Sequence, residues 1–387
     1  MHFLIITRHY TPEPSGGARR PALLVKALRR LGHKVTIITP FRQADDRDHI
    51  YIPHPVAAVS DLTHPTYMSQ GAPLLNTSTT PFRDWLRTWL LWPDAEIRWC
   101  RRVEQYLKTH QLAPDWLITT NPPESLHTIG ARLVARMNCK WLAEFRDNWT
   151  VDPHREILET SKIRAAIERH IAKNSLKSVN ALMTVSEAVL AEARALAPKD
   201  TPSLIIGHFS EALKDAQQLP DSDINIVHTG GFTLSHRQRE IEPLLDIFQK
   251  NAQNRPNLHL HLVGGLTPAE ISSAEAMIDF KVTLYGAQPL HVCRALQAGS
   301  DALLLYASET SESLPGKYAE YRFANKPIFV LGYGPWTGLI DDPAAITPLA
   351  KGLPHLQKGD TSKAPPPKGL DGVSAGRKLV QFIEALE

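Results

Sequence analysis

Short apolar runs alternate with stretches of helical periodicity along almost the whole chain. Residues 3–7 read as a buried strand, 16–31 as an amphipathic helix, and 34–39 as a second strand after the Gly32-His33 turn. Further strands are expected at 116–119, 141–145 and 181–185. Helices are expected at 124–137 and 155–177, with another opening at Ser186, an N-cap residue followed by acidic Glu187. At 208–223 the pattern lapses into "HFSEALKDAQQLPDSD", a linker, and the alternation restarts at 224–228. It continues through 259–263, 282–285, 302–306 and 327–331. Residues 341–373, with Pro365-Pro366-Pro367, read as irregular, and 374–387 as an amphipathic helix.

Such alternation calls for a parallel sheet covered by helices on both faces, and here it occurs twice. The expected fold class is α/β: two Rossmann-like doubly wound domains, at 1–207 and 224–373, facing each other across a cleft. The helix at 374–387 is expected to pack back on the N-terminal domain. Ligands of open α/β sheets bind beyond the carboxyl ends of the strands, so the loops there are where chemistry is sought.

With 387 residues, 43% of them hydrophobic and 21% charged, the chain is too long for one core and suits two domains. Its 3 cysteines, Cys100, Cys139 and Cys293, are far apart and form neither a disulfide framework nor a C-x-x-C zinc spacing, which favours a reducing cytoplasm. The first apolar run is too short for a signal-peptide core, and nowhere do about 18 apolar residues run together. The net charge of +3 hides an asymmetry: residues 1–200 carry 27 Lys and Arg against 20 Asp and Glu, and the remainder carries 16 against 20. A basic first half suits an anionic partner, phosphate or membrane surface, and no motif for nucleic acid accompanies it.

Gly16-Gly17 stand between the first strand and the first helix, where glycine lets the backbone approach an anion at the helix start. A tight turn alone explains them equally well, and no G-x-G-x-x-G accompanies them to suggest a dinucleotide. Gly230-Gly231 repeat the arrangement in the second half. Arg237 and Arg239 follow in the next loop, with guanidinium forks suited to phosphate oxygens or to plain solvation. In "SESLPGKYAEYRFANKPIF" (311–329), Leu314-Pro315-Gly316-Lys317 lead into a helix flanked by Glu312 and carrying Glu320. Proline loses nothing at a helix's first turn, and free N–H groups there favour phosphate. Ionised carboxylates only accept hydrogen bonds, which fits hydroxyl-rich ribose and hexose. Acidic stabilisation of a helix N-terminus is the plainer account of the same spacing.

Glu312 and Glu320, with seven residues between them, resemble the E-x7-E motif of the family-4 glycosyltransferases, which have the GT-B fold. The first forty residues are similar to that family's first β-α-β unit, and "PDWLITTNPPESLHTIGARLVARMNCKWLAEFRDNWT" to the middle of its acceptor domain. "LPGKYAEYRFANKPIFVLG" is similar to its lipid- and polysaccharide-assembling branch, with Asn325 where Gly is frequent. The resemblance implies that Glu320 binds the donor ribose and Glu312 the donor-sugar hydroxyls, while Arg237, Arg239 and Lys317 neutralise the diphosphate. Gly16, Gly17, Gly231, Leu314 and Gly316 would line the donor site. It also implies retention of anomeric configuration, with no metal and no cofactor beyond the nucleotide diphosphate sugar, itself a substrate. Asp221-x-Asp223 falls in the linker and is read as solvated. Arg146-Asp147 ends a first-domain strand at the same cleft, where both are expected on the acceptor side. Asp147 is expected to orient the acceptor or act as a base, unless the pair merely fixes its own loop.

Residues 81–108 carry Trp85, Trp89, Trp92 and Trp99 among Arg83, Arg87, Arg98, Arg101 and Arg102. That mixture suits either a helix in an anionic membrane interface or one packed on the first domain. The expected protein is a cytoplasmic retaining hexosyltransferase, peripheral at the inner face of the cell membrane, acting on a glycan or lipid-linked glycan. A GT-B nucleotide-sugar epimerase and a non-catalytic binding subunit are the alternatives.

Overall fold

The computed structural model describes residues 1–13, 16–43, 46–55, 91–151, 161–213, 215–235, 239–255, 257–349 and 352–387. Two parallel sheets organise it. The first contains β1 (His2–Ile6), β2 (Lys34–Thr39), β3 (His49–Tyr51), β4 (Trp116–Asn121), β5 (Lys140–Phe145), β6 (Ala181–Thr184) and β7 (Ser203–Ile205), in the order β3-β2-β1-β4-β5-β6-β7. The second contains β8 (Ile224–Thr229), β9 (Leu258–Val263), β10 (Lys281–Gly286), β11 (Ala302–Tyr306), β12 (Ile328–Leu331) and β13 (Ile346–Pro348), in the order β10-β9-β8-β11-β12-β13. In both sheets the order reverses beside the first strand, between β1 and β4 and again between β8 and β11. Such switch points open a crevice at the carboxyl ends.

Alternation within the strands builds four apolar layers. Leu4 and Ile6 of β1 face one core and Phe3 and Ile5 the other; Ile226 and Val227 of β8 divide in the same way. Helix α1 (Gly16–Arg30) covers the Phe3 face with Leu24, Val25 and Leu28, and stops at Gly32, whose φ of +85° suits only glycine.

Helix α2 (Ile97–Thr109) and helix α3 (Ser125–Met137) cover the opposite face. Trp99 is fully buried there, its indole N–H donating to the Ile52 carbonyl at 2.8 Å, and Trp92 lies beneath the Arg164 guanidinium at 3.2 Å. Trp99 is therefore a core residue, which removes it from the membrane-facing reading of 81–108. Trp85, Trp89, Arg83 and Arg87 lie outside the described residues. Arg98, Arg101 and Arg102 remain on the exposed face of α2. No helix among the described residues is long and apolar enough to cross a membrane.

Helix α4 (Lys162–Ser175) is shorter than the predicted 155–177, of which 155–160 lie outside the described residues. Helix α5 (Glu187–Leu196) starts as predicted, with Ser186 accepting from the Val189 N–H. The second sheet is flanked by α6 (Glu242–Ala252), α7 (Pro268–Glu275), α8 (Leu290–Gly299) and the short α9 (Gly316–Arg322). Asn325 adopts φ +53°, the left-handed turn that glycine would otherwise supply.

Three regions differ from the sequence reading. The segment read as irregular contains β13, which pairs with β12 at the sheet edge. Helix α10 (Gly372–Glu384) begins two residues early, capped by Asp371, and buries Ala375, Leu379, Val380 and Ile383 beside α1 in the first domain. Finally, 208–223 is no free tether: Phe209, Ser210 and Leu219 are buried, and Ser210 pairs with 370–372 so that the two interdomain crossings run side by side. Within that segment Asp221 is exposed, but Asp223 is buried against Lys281 at 2.9 Å and His259 at 3.0 Å, so only one of the pair is solvated.

Candidate functional site

The strand ends at the second sheet's switch point supply one wall. After β8 the chain passes Gly230-Gly231, and after β9 it passes Gly264. A Cβ on Gly264 would fall 2.2 Å from the Gly230 carbonyl, and one on Gly231 would fall 2.9 Å from that of Gly265. These glycines exist because two loop backbones touch, whatever else they bind. Arg239 enters from the loop before α6. Burial lowers its pKa, and its Nε has no hydrogen-bond partner among the described residues. Arg237 lies outside those residues.

Glu320 is the centre of the arrangement. It is 2% exposed, on the inner face of α9. Gln297 of α8, fully buried, donates from Nε2 to Glu320 Oε1 at 2.6 Å and to Thr229 Oγ1 at 2.9 Å. The Tyr321 hydroxyl closes the network on Thr229 at 3.0 Å. Lys317 Nζ stands 3.5 Å from Glu320 Oε2, and the same oxygen meets the guanidinium of Arg19, which crosses from the first domain. The carboxylate is thus oriented by a neutral amide and flanked by two cations.

The two glutamates of the motif sit differently. Glu312 is exposed in the loop between β11 and α9. That loop reaches the first domain through Ser313 Oγ, 2.8 Å from Ser186 Oγ at the cap of α5. Leu314 and Lys317 are half-buried on the approach to α9, and Gly316 lies beside His208, whose pKa is driven down to about 3 by burial with Arg20 and Arg146 nearby. The structure therefore brings Arg239, Lys317, Glu320 and Gly231 to one switch point and places Glu312 at its rim.

On the first domain the loops are held from inside. Arg146 is buried and donates to the carbonyls of Gly17 at 2.6 Å, Asn121 at 2.8 Å and Pro122 at 3.1 Å. It ties together the loops after β1, β4 and β5, so the expectation that it faces an acceptor is corrected: its donors go to backbone. Asp147 is exposed beside it, its carbonyl accepting from Asn121 Nδ2 at 3.0 Å. Gly17 contributes that carbonyl at the start of α1, and a Cβ on Gly16 would meet nothing within 4 Å among the described residues. Arg19 and Arg20 diverge: Arg20 turns inward to Glu144 at 2.6 Å and the carbonyls of Ile206 and Gly207, and Arg19 turns outward to Glu320.

A cavity of about 460 Å³ opens between the domains next to Glu320. Leu23 of α1 and Pro289 and Leu290 at the start of α8 give it apolar walls, with Arg19 and Arg294 at its edges. Arg19, Gln297 and His228 escape the sequence reading. Arg19 lies inside a recognised stretch but looks like its neighbour Arg20, and nothing local marks Gln297 in the middle of a helix. His228 stands near the end of β8, just before Thr229-Gly230, which is the one available signal.

Residues 15–206 match the glycosyl transferase 4-like domain. No curated protein sequence matches the chain. Among solved structures it is similar to sucrose-phosphate synthase from Thermosynechococcus elongatus, with 15% identity and a TM-score of 0.57 over 100% of this chain and 94% of that one. It is also similar to WaaG, a glycosyltransferase involved in lipopolysaccharide biosynthesis, with 14% identity and a TM-score of 0.58 over 99% and 91%. A third is HepE of Anabaena in complex with UDP and glucose, with 11% identity and a TM-score of 0.54 over 99% and 90%. At these identities the likeness is one of fold.

Proposed function

Because the chain belongs to the family-4 glycosyltransferases with the GT-B fold, we propose that it moves a hexose from a nucleotide diphosphate sugar to a hydroxyl of a glycan or lipid-linked glycan, with retention of configuration. The observation that carries the donor half is Glu320: a buried carboxylate at the edge of an interdomain cavity with cations on either side. An ionised carboxylate accepts from two adjacent hydroxyls, which is what a ribose offers. The base then fits the apolar walls of Leu23, Pro289 and Leu290, and the diphosphate runs toward Lys317 and Arg239 past Gly231. The hexose lies toward Glu312, with Asp147 across the cleft as the residue that orients the acceptor.

Rupture of the anomeric C–O bond leaves negative charge on the diphosphate. Lys317 and Arg239, placed there in a partly desolvated site, stabilise that charge as it develops. The acceptor hydroxyl attacks from the face the phosphate leaves, and a phosphate oxygen takes its proton, so no protein nucleophile is required. The basic first domain, with Arg98 and Arg101 exposed on α2, suits an anionic bilayer carrying a lipid-linked acceptor at the inner face of the membrane.

The test is incubation with UDP-, GDP- and ADP-sugars, with and without glycan acceptors, following release of the nucleotide diphosphate. Acceptor-dependent release supports the reading. Interconversion of donor alone makes the protein an epimerase, and binding without turnover makes it a non-catalytic subunit.

A further inference from the structure

We propose that His228 is a phosphate-contacting residue that takes up a proton when the donor diphosphate binds, so that donor binding by this protein is coupled to proton uptake. The inference rests on the donor-site reading above and adds a residue and a linkage to it.

His228 is the penultimate residue of β8, 5% exposed, with only Thr229 between it and the Gly230-Gly231 turn. Its Nδ1 lies 3.0 Å from the Leu304 carbonyl of β11. A carbonyl only accepts, so Nδ1 carries the proton and donates, and the lone pair is left on Nε2. That Nε2 is buried and has no hydrogen-bond partner among the described residues. It points toward Gly230, lying 3.8 Å from where a Cβ on that residue would be. Phe232 stacks on the ring at 4.8 Å and packs edge-on against Tyr306, which sets the plane of the imidazole.

The charged groups facing the ring are Lys317 from α9 and Arg239 from the loop before α6, both cations. Its neighbours in register are Leu262 on β9 and Leu304 on β11, neither of which titrates. Burial, and after it these two cations, hold the imidazole down to about 4, so it is neutral at ordinary pH. Burial and the two cations disfavour a proton on this unpartnered nitrogen, and a diphosphate reverses that. Its two negative charges offset Lys317 and Arg239, and a phosphate oxygen near Nε2 rewards a proton there with a charge-assisted hydrogen bond. The proton comes from solvent, and no other bond is made or broken.

The experiment is titration calorimetry with an intact nucleotide sugar, whose diphosphate diester does not titrate near neutrality. Heats are measured at pH 6.5 in buffers of different ionisation enthalpy. Wild type should show heats that depend linearly on buffer ionisation, with a slope approaching one proton taken up. Its affinity should weaken, by up to tenfold per unit, as pH rises through the bound-state pKa. His228→Gln should bind with no buffer dependence and a flat pH profile. Wild-type binding without buffer dependence overturns the inference, and needs no variant. Uptake that persists in His228→Gln also overturns it, by placing the proton on Lys317, whose ammonium is likewise pushed down by burial. If none of UDP-, GDP- and ADP-sugars binds, the donor reading itself fails and this inference with it.

Discussion

Glu320 is the residue on which the donor assignment turns, and two substitutions around it should act in opposite directions. Glu320→Gln keeps the shape and the bond to Gln297 but replaces an anionic acceptor with an amide that faces Arg19 and Lys317. A hydrogen bond to a charged group contributes about 1.5–3 kcal/mol, so losing the ionised acceptor for the ribose should weaken nucleotide binding roughly 10- to 150-fold. In wild type, however, the nucleotide must displace Arg19 from the same oxygen. Arg19→Met keeps an aliphatic stem against the cavity and removes that competitor. Lys317 and Gln297 still orient the carboxylate, so affinity should rise, by about tenfold if the displaced ion pair contributes about 1.4 kcal/mol. The assay is calorimetric titration with whichever of UDP, GDP and ADP binds wild type most tightly, and thermal unfolding reports the integrity of each variant. Weakened binding in the Arg19→Met protein, with its fold intact, would show that Arg19 holds the nucleotide. Unchanged binding in Glu320→Gln would remove the carboxylate from the donor site altogether.

Trp99→Ala should destabilise the first domain by about 3–5 kcal/mol, read as a lower urea midpoint, because it empties a fully buried indole site; a loss below about 1 kcal/mol would contradict its place in the core. His127, fully buried, is held down to about 3 by burial, against 6.5 when unfolded. The unfolded ring therefore binds a proton that the folded ring refuses, and stability should fall as pH drops from about 6.5 toward 3. Urea melts of His127→Gln should show a shallower fall than wild type. Transfer activity should survive EDTA, since Lys317 and Arg239 already offset the diphosphate; loss restored by magnesium or manganese would point to a metal-dependent reaction. Wild type should co-sediment with anionic vesicles at low salt, and Arg98→Glu with Arg101→Glu should reduce it, each charge contributing roughly 1 kcal/mol near the surface; equal pelleting of both would place the contact elsewhere.

Much of the architecture is legible in the chain because its signals are local. Short stretches dominated by apolar residues mark the central strands, since strands covered on both faces bury side chains along their whole length. Ser186 announces its helix, Gly32 ends another, and Asn325 makes the left-handed turn that its small polar side chain permits. The Glu312–Glu320 spacing is likewise a local pattern, readable without coordinates. Edge strands such as β3, β7 and β13 are only three residues long, too short for any period to show, and the segment holding β13 reads as irregular until it meets β12.

Other features were decided only by tertiary contact. Arg19 and Arg20 are the same residue side by side. Helix geometry sends one to Glu144 inside the first domain and the other across the cleft to Glu320. Arg146 looks like an acceptor contact in sequence, yet the backbone carbonyls of Gly17, Asn121 and Pro122 converge on its guanidinium and leave it a structural tie. Trp99 and the arginines around it look alike as an interfacial mixture, and the sheet beneath α2 divides them into a buried face and an exposed one. In each case the residue's partners lie on another loop, strand or layer of the fold, out of reach of any local pattern. A sequence determines which elements can form and which groups they carry; only the packing of one layer on another determines what those groups touch.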